Sequence, residues 1–206
     1  GAASMAAGIV TVNPAAGANT VTVGAGHTSA LTIALTTGTD TIVGSGSAAA
    51  LTVTVAANNI AATDTLTGGT GSSDSLNITG SATEITAAEL ANVTGFETLK
   101  TVTDAAIEIT MSDNNVIAGG SMTVNAVSAA TAVVNFDGVA ETDGSYTITT
   151  LGTQAHIITL GYGSDTYTST NTAGINTVVA TGGNNTITTA AGADIITLGS
   201  GTDTVT

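Results

Sequence analysis

The chain has 206 residues, 44 of them Thr and 26 Gly, with only 2% aromatic and 8% charged residues. That composition excludes a core built on large rings and favours a thin aliphatic one. Fifteen acidic residues against one basic residue, Lys100, give a net charge of -14, which argues against nucleic acid or an anionic membrane and makes a cation the natural partner. Cysteine is absent, so neither a disulfide framework nor a thiolate metal site is available. Gly and Thr interrupt every apolar run well short of the roughly 18 residues a membrane helix needs.

Residues 1–77 repeat a nine-residue beat with slips. Pro14 to Thr22 (PAAGANTVT) puts Gly17, Asn19 and Val21 in columns four, six and eight, and Leu35 to Val43 (LTTGTDTIV) does the same with Gly38, Asp40 and Ile42. A looser rung carries Ala62, Asp64 and Leu66, and GGTGSSDSLN (Gly68 to Asn77) carries Gly71, Asp74 and Leu76 with one extra Ser. Pro14 opens a rung, where its missing N–H does least harm to strand pairing.

Residues 78–145 lose the beat. Thr86-Ala87-Ala88-Glu89 is a capping box with Ile85 and Leu90 placed as a staple and Gly95 as a stop, so a short helix is predicted over Ala87 to Val93. Alternating apolar and polar residues predict strands at Phe96–Val102, Ile107–Met111, Met122–Val127, Thr131–Phe136 and Tyr146–Thr149. The segment reads equally as longer rungs or as a lateral module. It holds both Phe residues and Lys100, and is where partner contacts are expected.

Residues 146–206 keep time best. After LGTQAHIIT (Leu151 to Thr159), with His156 in column six, the chain reads LGYGSDTYT, a Ser169-Thr170 insert, NTAGINTVV, ATGGNNTIT, TAAGADIIT and LGSGTDTVT. From Leu160 onward column four is Gly163, Gly174, Gly183, Gly192 and Gly201; column six is Asp165, Asn176, Asn185, Asp194 and Asp203; column eight is Tyr167, Val178, Ile187, Ile196 and Val205. Glycine lets a rung turn sharply, an Asp or Asn two residues on bonds the turn backbone or offers an oxygen, and the Thr, Val and Ile around column eight suit a strand. One rung buries almost nothing, so such units must stack. The carboxylates outside residues 78–145 are Asp40, Asp64, Asp74, Asp165, Asp194 and Asp203, and all fall in column six once the extra Ser before Asp74 is allowed. Two uses fit that placement: oxygen ligands for a hard cation such as Ca2+, or side chains that only complete turns. His156 and His27, each in a polar turn with no second His or Cys nearby, read as solvated.

These columns resemble the calcium-binding nonapeptide of the RTX proteins, in which Gly-Gly-x-Gly-x-Asp precedes a small, an apolar and a small residue. The resemblance is closest at Leu160–Thr168 and Leu198–Thr206, covers Leu160 to Thr206 well, and covers Pro14 to Asn77 loosely. The Glu97-Thr98-Leu99 segment between repeat blocks is similar to bacterial surface-layer members of the family. The resemblance implies an all-β, right-handed parallel β-roll (a β-helix or solenoid), here with an irregular middle module containing one short helix. In such a roll two units complete a turn and Ca2+ lies between loops on one side. Same-side neighbours are then Asp165 with Asn185, Asn185 with Asp203, and Asn176 with Asp194, while Asp40, Asp64 and Asp74 are candidates in the looser block. This chain departs from the pattern in two ways: column one of the last rungs is never Gly, and Asn replaces Asp at two of five positions. About one carboxylate per site implies weak binding, roughly 0.1 to 1 mM.

No nucleophile elbow, His-Glu pair or phosphate loop stands in the sequence, and Glu89 is explained by its place in a first helical turn, so no enzyme is expected. The leading expectation is a structural segment of a secreted bacterial cell-surface protein, either a surface layer or a matrix fibre. Calcium would fold and stiffen it, and type I secretion would export it. Its expected partners are identical copies and, at the surface, a polysaccharide. The chain stops on a repeat boundary without a cap and is expected to be part of something longer. Outward Thr pairs such as Thr166/Thr168 and Thr186/Thr188 also fit an ice-binding solenoid, and an adhesin is the further alternative.

Overall fold

The computed structural model describes residues 3–4, 8–82, 84–126 and 131–206. Twenty short strands run along them: β1 (Ala3–Ser4), β2 (Thr11–Val12), β3 (Asn19–Thr22), β4 (Leu31–Ala34), β5 (Asp40–Val43), β6 (Leu51–Ala56), β7 (Thr65–Thr67), β8 (Ser75–Thr79), β9 (Val93–Thr94), β10 (Thr98–Thr101), β11 (Ile107–Thr110), β12 (Ser121–Ala126), β13 (Val134–Asp137), β14 (Ser145–Thr150), β15 (Ile157–Thr159), β16 (Thr166–Ser169), β17 (Thr177–Ala180), β18 (Thr186–Thr188), β19 (Ile195–Leu198) and β20 (Thr204–Val205). The even-numbered strands form one ten-stranded sheet from β2 to β20, while the odd ones form two five-stranded sheets, β1 to β9 and β11 to β19. Every pairing is parallel and joins a strand to the next but one, so the chain winds as an all-β solenoid of about nine turns.

Short turn-rich strands wind this way because each buries one side-chain ladder and can satisfy its backbone only against the rungs above and below. Burial alternates along them, as in Leu51, Val53 and Val55 inward with Thr52 and Thr54 half-exposed between. Column eight points inward as expected: Tyr167, Val178 and Ile187 are completely buried. Ile196 is only partly buried and Val205, in the last rung, is 44% exposed.

The turns vary in length. Thr186 pairs with Thr204 after a short winding, whereas the winding that brings Thr98 to Thr123 is longer, so the described residues of the middle segment form wider turns of the same ten-stranded stack. The extra length carries α1 (Ala87–Leu90), capped by the Thr86/Glu89 box, and a 3-10 turn at Asp113–Asn115. The helix ends at Leu90, earlier than its pattern predicts, because Val93 and Thr94 pair with Leu66 and Thr67 as β9, and β-branched residues gain more in that ladder than in another helical turn. Of the strand predicted over Met122–Val127, Val127 lies outside the described residues. Phe96 and Phe136 do not stand on the surface, where partner contacts were expected of them. Both are buried, and Phe136 meets Tyr146 edge-on at 5.1 Å, a favourable aromatic geometry. Among the described residues no helix is long and apolar enough to cross a membrane.

Candidate metal sites in the turns

Gly183 shows why column four is Gly: its φ is +80°, and a Cβ there would run into the carbonyl oxygen of Gly163 one turn away. That turn swings column six inward. Asp40, Asp64, Asp74, Asp165, Asn176 and Asn185 are all buried, although four of them are acids.

All of these side chains but Asp40 reach one turn along the stack to a backbone N–H. On one side of the roll Tyr146 N–H donates to Asp165 Oδ1 (2.6 Å), Asp165 N–H to Asn185 Oδ1 (2.9 Å) and Asn185 N–H to Asp203 Oδ1 (2.9 Å). On the other, His156 N–H donates to Asn176 Oδ1 (3.2 Å) and Asn176 N–H to Asp194 Oδ1 (2.7 Å). All three same-side pairs drawn from the sequence are thus neighbours across one turn. The Asn amides add a second link, from Asn185 Nδ2 to Asp203 Oδ1 (2.9 Å) and from Asn176 Nδ2 to Asp194 Oδ1 (3.0 Å).

Asp64 and Asp74 make the same ladder and use both of their oxygens. Asp64 accepts Asp40 N–H at Oδ1 and Ala61 N–H at Oδ2; Asp74 accepts Leu51 N–H at Oδ1 and Gly69 N–H at Oδ2. Asp40 Oδ1 takes the Asn19 side-chain amide at 2.8 Å. In contrast, Asp165 Oδ2 is buried with no hydrogen-bond partner among the described residues.

Two ladder members and one buried acid bonded within its own loop escaped the sequence reading. Glu97 Oε2 accepts Asp74 N–H at 2.8 Å, its longer side chain replacing an Asp. His156 Nδ1 accepts Val134 N–H at 3.1 Å, so its column-six position was the signal. Glu141, wholly buried, holds Gly144 N–H at Oε1 (2.6 Å), and nothing in the nine-beat marks it. Neither histidine is solvated, with His27 at 2% and His156 at 0% exposure, because inward-folded turns enclose their own polar side chains.

The electrostatics favour a cation. Asp40, Asp64, Asp74, Glu141 and Asp165 are at most 1% exposed in a chain with one Lys and no Arg, so basic side chains cannot neutralise them as a group. Burial pushes the Asp165 carboxyl up to about 6, the charge of Glu141 adds to the rise, and the Tyr146 N–H opposes it. Burial also lowers His156 below the usual imidazole value, leaving it neutral with Nδ1 as acceptor.

With that geometry established, residues 170–205 match the family described as RTX calcium-binding nonapeptide repeat (4 copies). The carboxy-terminal rungs are RTX-type repeats. No curated relative and no solved structure matches the chain. RTX nonapeptides take Ca2+, and these rungs suit it, since their turns offer carboxylate, amide and carbonyl oxygens, which a hard ion prefers; in the adjoining rung Asp165 keeps one buried oxygen without a partner among the described residues. A Cβ at Gly201 would run into the Gly183 carbonyl oxygen one turn away, as one at Gly183 would into that of Gly163.

Proposed function

We propose that this chain is a calcium-stiffened structural segment of a secreted bacterial surface protein that associates with copies of itself. Calcium-binding RTX rungs in a parallel solenoid support the reading, and the buried acids carry it: five enclosed carboxylates in a chain with a single basic residue favour a fold completed by bound cations. The ion sites proposed are the turns holding Asp165, Asn176, Asn185, Asp194 and Asp203. Asp40, Asp64 and Asp74 also stand as candidates, with Asp64 and Asp74 already bonded at both oxygens.

The mechanism is linkage. Where calcium is scarce, the acidic turns repel one another and the Gly-rich rungs gain little from stacking. Where it is plentiful, an ion that binds only the wound form stabilises that form by mass action. The chain's own residues position the oxygens through the ladder and exclude water with the Val, Ile and Tyr side chains behind it. The reading assigns no catalytic role. Circular dichroism in EGTA and then with excess Ca2+ tests the linkage, since strand content should rise on calcium addition, and identical spectra would remove the switch. Light scattering with calcium present tests self-association, and a strictly monomeric species would count against it.

One observation favours a second reading. On the outer face of the ten-stranded sheet, Thr98, Thr123, Thr147, Thr166, Thr186 and Thr204 lie in one register, strand after strand. A second rank holds Thr149, Thr168 and Thr188. Hydroxyls and methyls repeating at the strand spacing of about 4.8 Å form a regular rank suited to ordered water, as in an ice-binding face. Thermal hysteresis, absent from the structural reading, is the discriminating measurement.

A further inference from the structure

We infer that Asp113, Glu141 and Asp143 form a binding site for a hard divalent cation, calcium above all, outside the stretch that matches the nonapeptide repeats. Asp113 opens the 3-10 turn Asp113–Asn115 of one winding, and Glu141 and Asp143 sit in the loop between β13 and β14 of the next. One ligand oxygen from each lies within 4.8 Å of the others. Calcium–oxygen distances of 2.3 to 2.6 Å allow two ligands of one ion to stand up to roughly 4.6 to 5.2 Å apart, so the three oxygens fit one coordination sphere.

The two loops are held in that relation by other groups. Thr142 donates from its backbone N–H and its hydroxyl to Asp113 Oδ1, both at 2.9 Å, and Gly119 N–H donates to the Asp143 carbonyl at 2.9 Å. The 3-10 turn is itself anchored, because Asn115 Nδ2 donates to the Leu90 and Val93 carbonyls at 2.8 Å each. The cluster is therefore preorganised by contacts that would survive loss of its charges.

Glu141 supplies an independent indication. It is completely buried; Oε1 accepts Gly144 N–H (2.6 Å) and Asp143 N–H (3.1 Å), yet Oε2 is buried with no hydrogen-bond partner among the described residues. A buried carboxylate with one bare oxygen beside two more acids is costly unless a positive charge faces it. Lys100 stands elsewhere, on β10 in register with Asn77 and Asn125. With oxygen donors only, the cation of choice is a hard one.

The test is calorimetric titration of the EGTA-stripped full chain with CaCl2. Asp113→Asn with Asp143→Asn changes two exposed side chains and keeps the Asp113 Oδ1 acceptor, so the fold should hold while one calcium per chain is lost or bound at least tenfold more weakly. Glu141→Gln should lose the same calcium. The combination Asp194→Asn and Asp203→Asn, which spares the Asp165 turn stacked on Glu141, should leave that calcium in place. An Asp113/Asp143 variant with unchanged stoichiometry and affinity overturns this site and leaves the RTX turns untouched. A repeat variant that keeps every calcium overturns the proposed RTX turn sites and leaves this one standing.

Discussion

Asp194 Oδ1 receives two hydrogen bonds from Asn176, one from the backbone N–H at 2.7 Å and one from the side-chain amide at 3.0 Å. Asn176 is completely buried, so its backbone N–H is stranded if the carboxylate is removed, while its side-chain amide keeps the Ser169 hydroxyl at 3.3 Å. The Asp therefore closes the rung even before any ion arrives, and structural ladder and calcium ligand become two uses of one side chain. Asp194→Ala is expected to cost about 1 to 3 kcal/mol in calcium-free buffer, the usual penalty for stranding buried donors. Asp194→Asn keeps an acceptor and should cost less there, but should gain less stability on calcium addition than the parent chain. Urea unfolding with and without calcium measures both; equal calcium increments in parent and Asp194→Asn would remove Asp194 from the ion sites.

Column four makes a steric prediction. Gly183→Ala meets both a positive φ and the Gly163 carbonyl, so at least about 1 to 3 kcal/mol should be lost. Gly24→Ala is the control, since nothing lies within 4 Å of a Cβ there and its φ is not positive; its effect should stay within about 0.5 kcal/mol. Thermal melting of the two variants side by side decides it, and equal melting points would contradict the rung geometry.

His156 predicts a pH dependence. Burial favours the neutral ring, so its folded pKa lies below the ordinary value of 6.5, and the folded state binds fewer protons than the unfolded one through that window. The stability it contributes is complete above the unfolded pKa of about 6.5 and is lost as pH falls from there towards the folded value. Protonation would also turn Nδ1 from acceptor to donor opposite the Val134 N–H. His156→Asn retains a side-chain acceptor without the titration, so the fall in urea midpoint between about pH 7.5 and 5 should be shallower in the variant. A parallel fall in both chains would place the acid sensitivity elsewhere.

Much of the roll was legible because its determinants are local. Gly183, Asn185 and Ile187 lie close together in one rung, and each states its own need: a left-handed turn, an inward oxygen and a buried aliphatic. The pairing of Asn185 with Asp203 followed because the last winding is two nonapeptide units with nothing inserted between them. Glu97 and Glu141 were not legible as site residues. Their partners, Asp74 N–H for one and an acidic cluster across two windings for the other, depend on the longer turns of the middle segment, whose insertions hide the beat.

The sequence by itself determined that this protein turns, stacks and carries one kind of oxygen at one place in each clear repeat, because backbone preference and apolar periodicity act over a short stretch of chain. Tertiary structure alone decided which oxygens are enclosed, which are already bonded and which remain bare. Those outcomes depend on the register between successive windings, and register is set by how every inserted residue is accommodated against the turns on either side.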